Sequence, residues 1–204
     1  MARTPQDPNI RINEILDAAD QLFFTKGYHS TTINDIAKKI GVAQGMLYYY
    51  FKSKEEILEK LLDRHASALM SEIKTIIDCT NSPSEKIALT ISNVIHKANY
   101  KDGLLLTLLY DTQNLHLKVQ LFRQLEIALS PGLLKIIEDG IERQYFCIVH
   151  APTAVDYILV ILEFLSEALY QKTSAEILSF RLQMAESLIE KALGCEGNTI
   201  HLQL

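Results

Sequence analysis

The stretch from Thr31 to Leu58, TTINDIAKKIGVAQGMLYYYFKSKEEIL, constrains this chain more than any other. Thr32 followed three residues later by Asp35 is a variant of the helix capping box, and the acid also suits the positive end of a helix. Ile33, Ile36, Ala37 and Ile40 recur at helical spacing, so one face of that helix is buried. Gly41 supplies the backbone freedom that ends it sharply, and Val42 pins the turn to the core. A second short helix runs from about Gln44 to Tyr50. A third opens at Ser53, with Glu56 completing another box. Two short helices around a glycine turn, followed by a capped third, are the layout of a helix-turn-helix reader of DNA.

The second helix carries the chemistry. Leu47, Tyr50 and Phe51 share one face and point inward. At about 100 degrees per residue, Gly45, Met46, Tyr48 and Tyr49 then point outward, with Gln44 on the leading flank. Gly45 lets another backbone approach closely, the two tyrosines can donate to phosphates, and glutamine pairs best with an adenine edge. Lys54 stands in the first turn of the third helix, where it opposes the helix dipole unless a phosphate lies there too. A plain helical corner would share the isoleucine spacing and the glycine, but it would not need outward aromatics.

These residues resemble the DNA-binding motif of the tetracycline-repressor (TetR) family of bacterial regulators. The pattern TT-x-x-x-IA, then GV, then G-x-LYYYF, then KSKEE-x-L covers about the first third of the chain. The resemblance implies that Gln44, Gly45 and Met46 face bases, and that Tyr48, Tyr49, Thr32 and Lys54 hold the DNA backbone. Ala43 stands where the family usually has a small hydroxyl residue. It keeps its place in the DNA-facing set but gives up a helix cap, at a cost of about 0.5–2 kcal/mol, and with it a phosphate contact.

Charge does not make the case for DNA. The net charge is −5, yet residues 1–60 carry eight basic and eight acidic side chains while the remainder carries twelve and seventeen. Affinity is therefore expected from a few placed contacts, not from a general basic field. Cys79, Cys147 and Cys195 have neither zinc-like nor redox-like spacing, and are read as free thiols of a reducing cytoplasm, acting as small core fillers. No metal site is expected: Cys147, His150 and His116 match no ligand pattern. No cofactor, no membrane span and no catalytic constellation are expected either.

Along the chain, residues 1–8 read as a loose arm, with Arg3 either reaching a minor groove or disordered. The first helix spans about Ile10 to Lys26, with Ile12, Ile15, Leu16, Ala19, Leu22 and Phe23 inward. Gly27 ends it and Tyr28 packs back. Arg11, at its start, is either a DNA-proximal or a solvated cation. The Ser53 helix continues to about Cys79 as a strut. Ser82, Pro83 and Glu85 start a helix to about Lys101. His96 lies off its buried stripe. Asp102-Gly103 is read as a break before a short apolar helix, Leu104 to Gln113. A long region from Leu115 to about Tyr145 is kinked or split at Ser130-Pro131-Gly132. A helix from Ala151 to about Lys172 is apolar nearly all round and needs burial on more than one side. Its thin stripe of Asp156, Glu163 and Glu167 is a solvated edge or a cation-sensing or interface feature. Thr173 and Glu176 box the last helix, which Gly194 stops, and residues 195–204 read as a tail.

The expected fold is all-α: a DNA-binding domain over 9–69, with its motif at about 32–51, and a helical effector-binding and dimerisation domain over 70–204. The final two long helices are expected to form half of a four-helix interface between two copies. By resemblance, the chain is a cytoplasmic dimeric regulator, repressing by default, that leaves a palindromic double-stranded DNA operator when a small-molecule effector binds. Tyr110, Phe122 and Phe164 are the candidate effector contacts. Tyr110 is either pocket-facing or an aromatic with a satisfied tip. The alternative is a helical DNA-binding or protein-interaction protein without an effector.

Overall fold

A computed structural model describes residues 7–110, 115–195 and 197–203; Arg3, Gln113 and the side chain of His116 lie outside what it describes. Among the described residues the chain is helical without a strand: α1 (Pro8–Lys26), α2 (Ile33–Lys39), α3 (Gln44–Tyr50), α4 (Lys54–Asp78), α5 (Pro83–Tyr110), α6 (Leu115–Glu142), α7 (Ala151–Tyr170) and α8 (Ala175–Leu193). It divides into two compact units, Met1–His65 and Ala66–Leu204. The expected boundary after residue 69 and the observed division both fall inside α4.

In the first unit, α1 starts two residues before the expected Ile10. Asp7 accepts the Asn9 N–H at 2.9 Å and Pro8 takes the first helical position, which needs no donor. Of the predicted stripe, Ile15, Leu16, Ala19 and Phe23 are buried and Ile12 and Leu22 partly so, and Tyr28 packs edge-on against Phe23 with ring centroids 5.1 Å apart. Ile15, Phe23, Ile36, Leu47, Ile57 and Leu58 are fully buried and form this unit's core.

The second unit is built on α5, α6, α7 and α8 with the later part of α4, whose Leu69 and Ile73 join its core. Ser82 caps α5 as expected: its N–H donates to Glu85 at 2.7 Å and its hydroxyl accepts the Glu85 N–H at 3.3 Å. Asp102-Gly103, however, does not interrupt α5, which runs on to Tyr110. One glycine in a helix costs only about 1 kcal/mol, which does not by itself end one. Nor does Pro131 split α6, which continues to Glu142. The adjacent Gly132 has a packing reason: a Cβ there would stand 2.6 Å from Cγ2 of Ile73 on α4.

Three further expectations are corrected. The cap of α8 is Ser174, not Thr173; its hydroxyl accepts the Ile177 N–H at 3.4 Å. Cys147 is exposed and so fills no core, while Cys79 and Cys195 are partly buried and Cys195 packs against the core of the second unit. Residues 197–203 are not a free tail. Ile200 and Leu202 are buried in the core of the second unit, and the strap's backbone is held by side chains of two helices. Glu190 accepts from Thr199 (2.7 Å) and Ile200 (3.0 Å), Glu186 from Leu202 (2.7 Å), and Ser92 on α5 from Gln203 (2.9 Å).

Candidate nucleic-acid interface

The corner between α2 and α3 forms as its residues dictate. Thr32 accepts the Asp35 N–H at 3.1 Å, and the Asp35 carboxylate accepts the Thr32 N–H at 2.9 Å, so the box is complete. Lys26 reaches the same carboxylate at 2.7 Å. Hydrogen bonds from Lys26, then from Thr32, hold the Asp35 carboxyl well below the usual carboxylate range. At the other end, Gly41 adopts φ +71°. Its N–H donates to Lys38 O at 3.2 Å and the Val42 N–H donates to Ala37 O at 3.0 Å. That bond pair is a Schellman ending, and the left-handed residue it needs is the glycine.

On α3 the two faces separate cleanly. Leu47 is fully buried and Phe51, just past the helix end, is 3% exposed. Tyr48 is 52% exposed, Tyr49 82% and Met46 41%, with Gln44 and Gly45 also exposed. Tyr50 is half-buried and holds Tyr49 edge-on at 5.0 Å between centroids. Ala43 is exposed and gives α3 no side-chain cap. Arg11 pairs with Glu14 at 2.6 Å on α1.

Lys54 is placed differently from the rest. Its ammonium donates to the carbonyls of Tyr28 (2.7 Å), Thr31 (3.0 Å) and His29 (3.4 Å), and lies 4.3 Å from the centre of the Tyr28 ring. Its position in the first turn of α4 therefore has an explanation inside the protein. Desolvation lowers its pKa from the ordinary lysine value. Ser53 accepts the Glu56 N–H at 3.2 Å as expected, but Glu56 reaches back to the Lys52 N–H at 2.6 Å.

A sequence profile described as "Bacterial regulatory proteins, tetR family" matches residues 15–61, the span that builds this corner. Over these residues the chain is similar to the tetR family. The HTH-type transcriptional repressor KstR2 of Mycolicibacterium smegmatis is 38% identical over 84 residues, 41% of this chain and 41% of that protein. The chain thus spans about two fifths of the length of that repressor. The nucleoid occlusion factor SlmA of Vibrio atlanticus is 32% identical over 126 residues, 58% of this chain and 64% of that protein. The transcriptional regulator FadR of Bacillus subtilis, solved in complex with stearoyl-CoA, superposes with a TM-score of 0.68 at 24% identity over 93% of this chain and 99% of that one.

Of the expected effector contacts, Tyr110 and Phe122 meet. Tyr110 stacks on Tyr170 (5.1 Å, 19°) and meets Phe122 edge-on (6.4 Å, 78°), while its hydroxyl donates to the Glu163 carbonyl at 3.0 Å. Burial first, then the charges of Glu163 and Glu167, push the phenol above its ordinary pKa. Its tip is thus satisfied. Phe164 points elsewhere on α7, half exposed beneath the Arg181 guanidinium on α8 at 5.0 Å. Two neighbours of Tyr110 and Phe122 that sequence reasoning missed are Lys118 and Arg123. With Val119, Phe122, Leu125, Glu126, Asp156, Leu159, Val160 and Glu163 they line a groove of about 710 Å³ between α6 and α7. The Lys118 ammonium lies 4.7 Å from the Tyr110 ring centre and 3.8 Å from the Glu163 carboxylate. The i, i+4 spacing of Lys118 and Phe122 was the available signal.

His150, weighed as a metal ligand, instead caps α7: its Nδ1 accepts the Thr153 N–H at 3.3 Å. Among the described residues there is no cluster of three or more metal-ligating side chains and no helix long and apolar enough to cross a membrane. On α7 and α8, Tyr157, Val160, Phe164, Ile177, Phe180, Met184 and Leu188 form an exposed apolar surface.

Proposed function

We propose that the chain is a cytoplasmic, sequence-specific DNA-binding transcriptional regulator: a dimeric repressor that a small-molecule effector releases from a palindromic operator. The observation that carries this reading is α3, a helix that buries Leu47 while turning Gln44, Gly45, Met46, Tyr48 and Tyr49 to solvent. Gln44 and Met46 read base edges, Gly45 lets the groove wall come close, and Tyr48, Tyr49 and Thr32 contact the backbone. One helix of seven residues is a weak reader. Two heads on a two-fold axis double its contacts, with half-sites one or more helical turns apart.

The apolar surface of α7 and α8 supports the dimer. Seven large apolar side chains at i, i+3, i+7 spacings face solvent on two adjacent helices. A second copy of the same two helices covers them as a four-helix bundle. Release is a population shift: the effector favours a body conformation in which the two heads no longer fit successive grooves, and α4, continuous from head to body, carries the change. A long-chain acyl-CoA is the first effector to test, because the fold is shared with a regulator solved with stearoyl-CoA bound.

The test is selection of bound duplexes from a random pool, repeated with a metabolite set that includes palmitoyl-CoA and stearoyl-CoA. Enrichment of a palindrome that an acyl-CoA then dissociates is the expected result; recovery of unenriched DNA sinks the reading. A second reading, a DNA binder without an effector, draws on the match to a nucleoid occlusion factor over 58% of this chain. Enrichment of a palindrome that no metabolite displaces would favour it.

A further inference from the structure

We propose that Cys147 and Cys195 are a redox pair: a small-molecule disulfide oxidises them to a reversible Cys147–Cys195 bridge that ties the entry of α7 to the exit of α8. Their spacing along the chain resembles no redox motif, but packing makes them neighbours. The Cys147 N–H donates to the carbonyl of Leu193, the last residue of α8, at 3.1 Å. Gly194, the left-handed residue that ends α8 at φ +59°, is pressed against Cys147. A Cβ placed on it would stand 3.5 Å from the Cys147 Cα and 3.0 Å from its carbonyl carbon. The Cα atoms of Cys147 and Gly194 are therefore within about 5 Å of each other, and Cys195 is one Cα step of about 3.8 Å further on. That holds the two cysteine Cα atoms to at most about 9 Å, a limit that contains the 4.4–6.8 Å or so that a disulfide spans.

Both backbones are anchored in that relation. Ahead of Cys147, the Tyr145 and Phe146 N–H groups donate to Gly140 O at 2.8 and 3.1 Å, and the Phe146 ring is buried. After it, Ile148 packs on the core of the second unit. On the other side, the Cys195 N–H donates to Glu190 O at 3.1 Å. The two thiols differ in access. Cys147 is exposed, whereas Cys195 is partly buried against the core, and burial first of all pushes its thiol above the ordinary pKa. Cys147 is therefore the sulfur that meets the oxidant, and Cys195 the one that resolves it. To reach across, Cys195 Sγ leaves Glu190 O and the Thr199 hydroxyl, each at 3.5 Å. Sulfur is a weak donor and a weak acceptor, so little opposes the move.

The steps balance with a glutathione-type disulfide as oxidant. The Cys147 thiolate, its proton given to water, attacks one sulfur of the oxidant and expels a small thiolate, which leaves a mixed disulfide on Cys147. Cys195, deprotonated in turn, attacks Cys147 Sγ and expels the second small thiolate. The two cysteines lose two electrons and two protons; the cleaved bond of the oxidant takes the electrons, and its two thiolates take up the protons. Excess small thiol runs the same steps backwards, so in a reducing compartment the bridge is transient and reports oxidation. Once closed, it fastens the two ends of the α7–α8 pair that carries the exposed Phe164, Phe180 and Met184, together with the start of the strap that Glu190 holds.

The test equilibrates the full chain with reduced and oxidised glutathione over a series of ratios, then quenches with acid, alkylates after denaturation and maps the peptides by mass. The Cys147 and Cys195 peptides are expected joined within one chain, with Cys79 still alkylated. Half-conversion is expected where the squared thiol concentration divided by that of the disulfide is about 1 mM or more, the effective concentration of groups held close together. Cys195→Ser is expected to stop with glutathione on Cys147, and Cys147→Ser to load Cys195 about tenfold more slowly or less, because that sulfur is shielded. Wild type that accumulates glutathione on Cys147 without the joined peptide would overturn the proposal, and so would a bridge to Cys79 or between chains in its place. The wild-type digest decides this even if a serine variant folds poorly. The bridged wild type is also expected to melt about 5 °C or more above the reduced form. An oxidised form that melts at or below the reduced one would overturn the fastening of α7 to α8.

Discussion

Glu190 on α8 holds Ile200 in the core: its carboxylate accepts the Ile200 N–H at 3.0 Å, and the Ile200 side chain is 1% exposed. The last residues of the chain thus complete the second unit, tying α8 to α5 through Glu186, Glu190 and Ser92. Ile200→Ala is expected to cost about 2–5 kcal/mol, the range for truncating a buried isoleucine. Urea unfolding followed by circular dichroism measures it, and a cost below about 0.5 kcal/mol would show the strap to be dispensable.

The same contact makes the strap sensitive to acid. Desolvation pushes the Glu190 pKa up, but the N–H groups of Ile200, Thr199 and Asn198, with His201 nearby, outweigh it, so the carboxyl sits below its ordinary value. A depressed folded-state pKa means that the stabilisation is fully present above the unfolded value, about 4.3, and is lost as pH falls through the folded one. Thermal melts of wild type and Glu190→Gln are therefore expected to differ most at neutral pH and to converge below about pH 4. A difference that grows on acidification would contradict the sign.

The proposed base-reading and backbone-holding roles in the head can be separated by mutation. Tyr48→Ala is expected to weaken binding to selected and unrelated duplexes alike. Gln44→Ala is expected to relax preference at one base position by about 1–3 kcal/mol. Competition binding with single-position variants of the selected duplex checks both. Equal loss on every sequence for Gln44→Ala would remove it from the base-reading set.

The apolar face of α7 and α8 is expected to be covered in solution by a second copy. Phe180 and Met184 are 63% and 61% exposed in the single chain, so Phe180→Lys with Met184→Glu should leave each protomer folded while halving the mass seen by light scattering. A wild-type monomer at micromolar concentration, or a variant that stays dimeric, would show that this face is not the interface.

How far local patterning reaches can be judged from particular residues. Thr32, Asp35 and Gly41 were legible because caps and left-handed turns are decided by groups two to five residues apart. The outward set on α3 was legible because helical periodicity alone assigns a face to each position. Gly103 misled, and Pro131 does not split α6, since a breaker is only a preference. The carbonyl partners of Lys54 were not legible: they lie 23 to 26 positions away, beyond the reach of any local rule.

The sequence by itself determined most helix starts, the corner between α2 and α3, and which side of α3 faces solvent, because each depends on interactions within one or two turns. Only the tertiary structure decided where Lys54 spends its charge, that Tyr110 is satisfied by the Glu163 carbonyl, and that Ile200 and Leu202 belong to the core. Those outcomes turn on which distant groups the packed chain brings within hydrogen-bonding distance, and that is set by the whole fold at once.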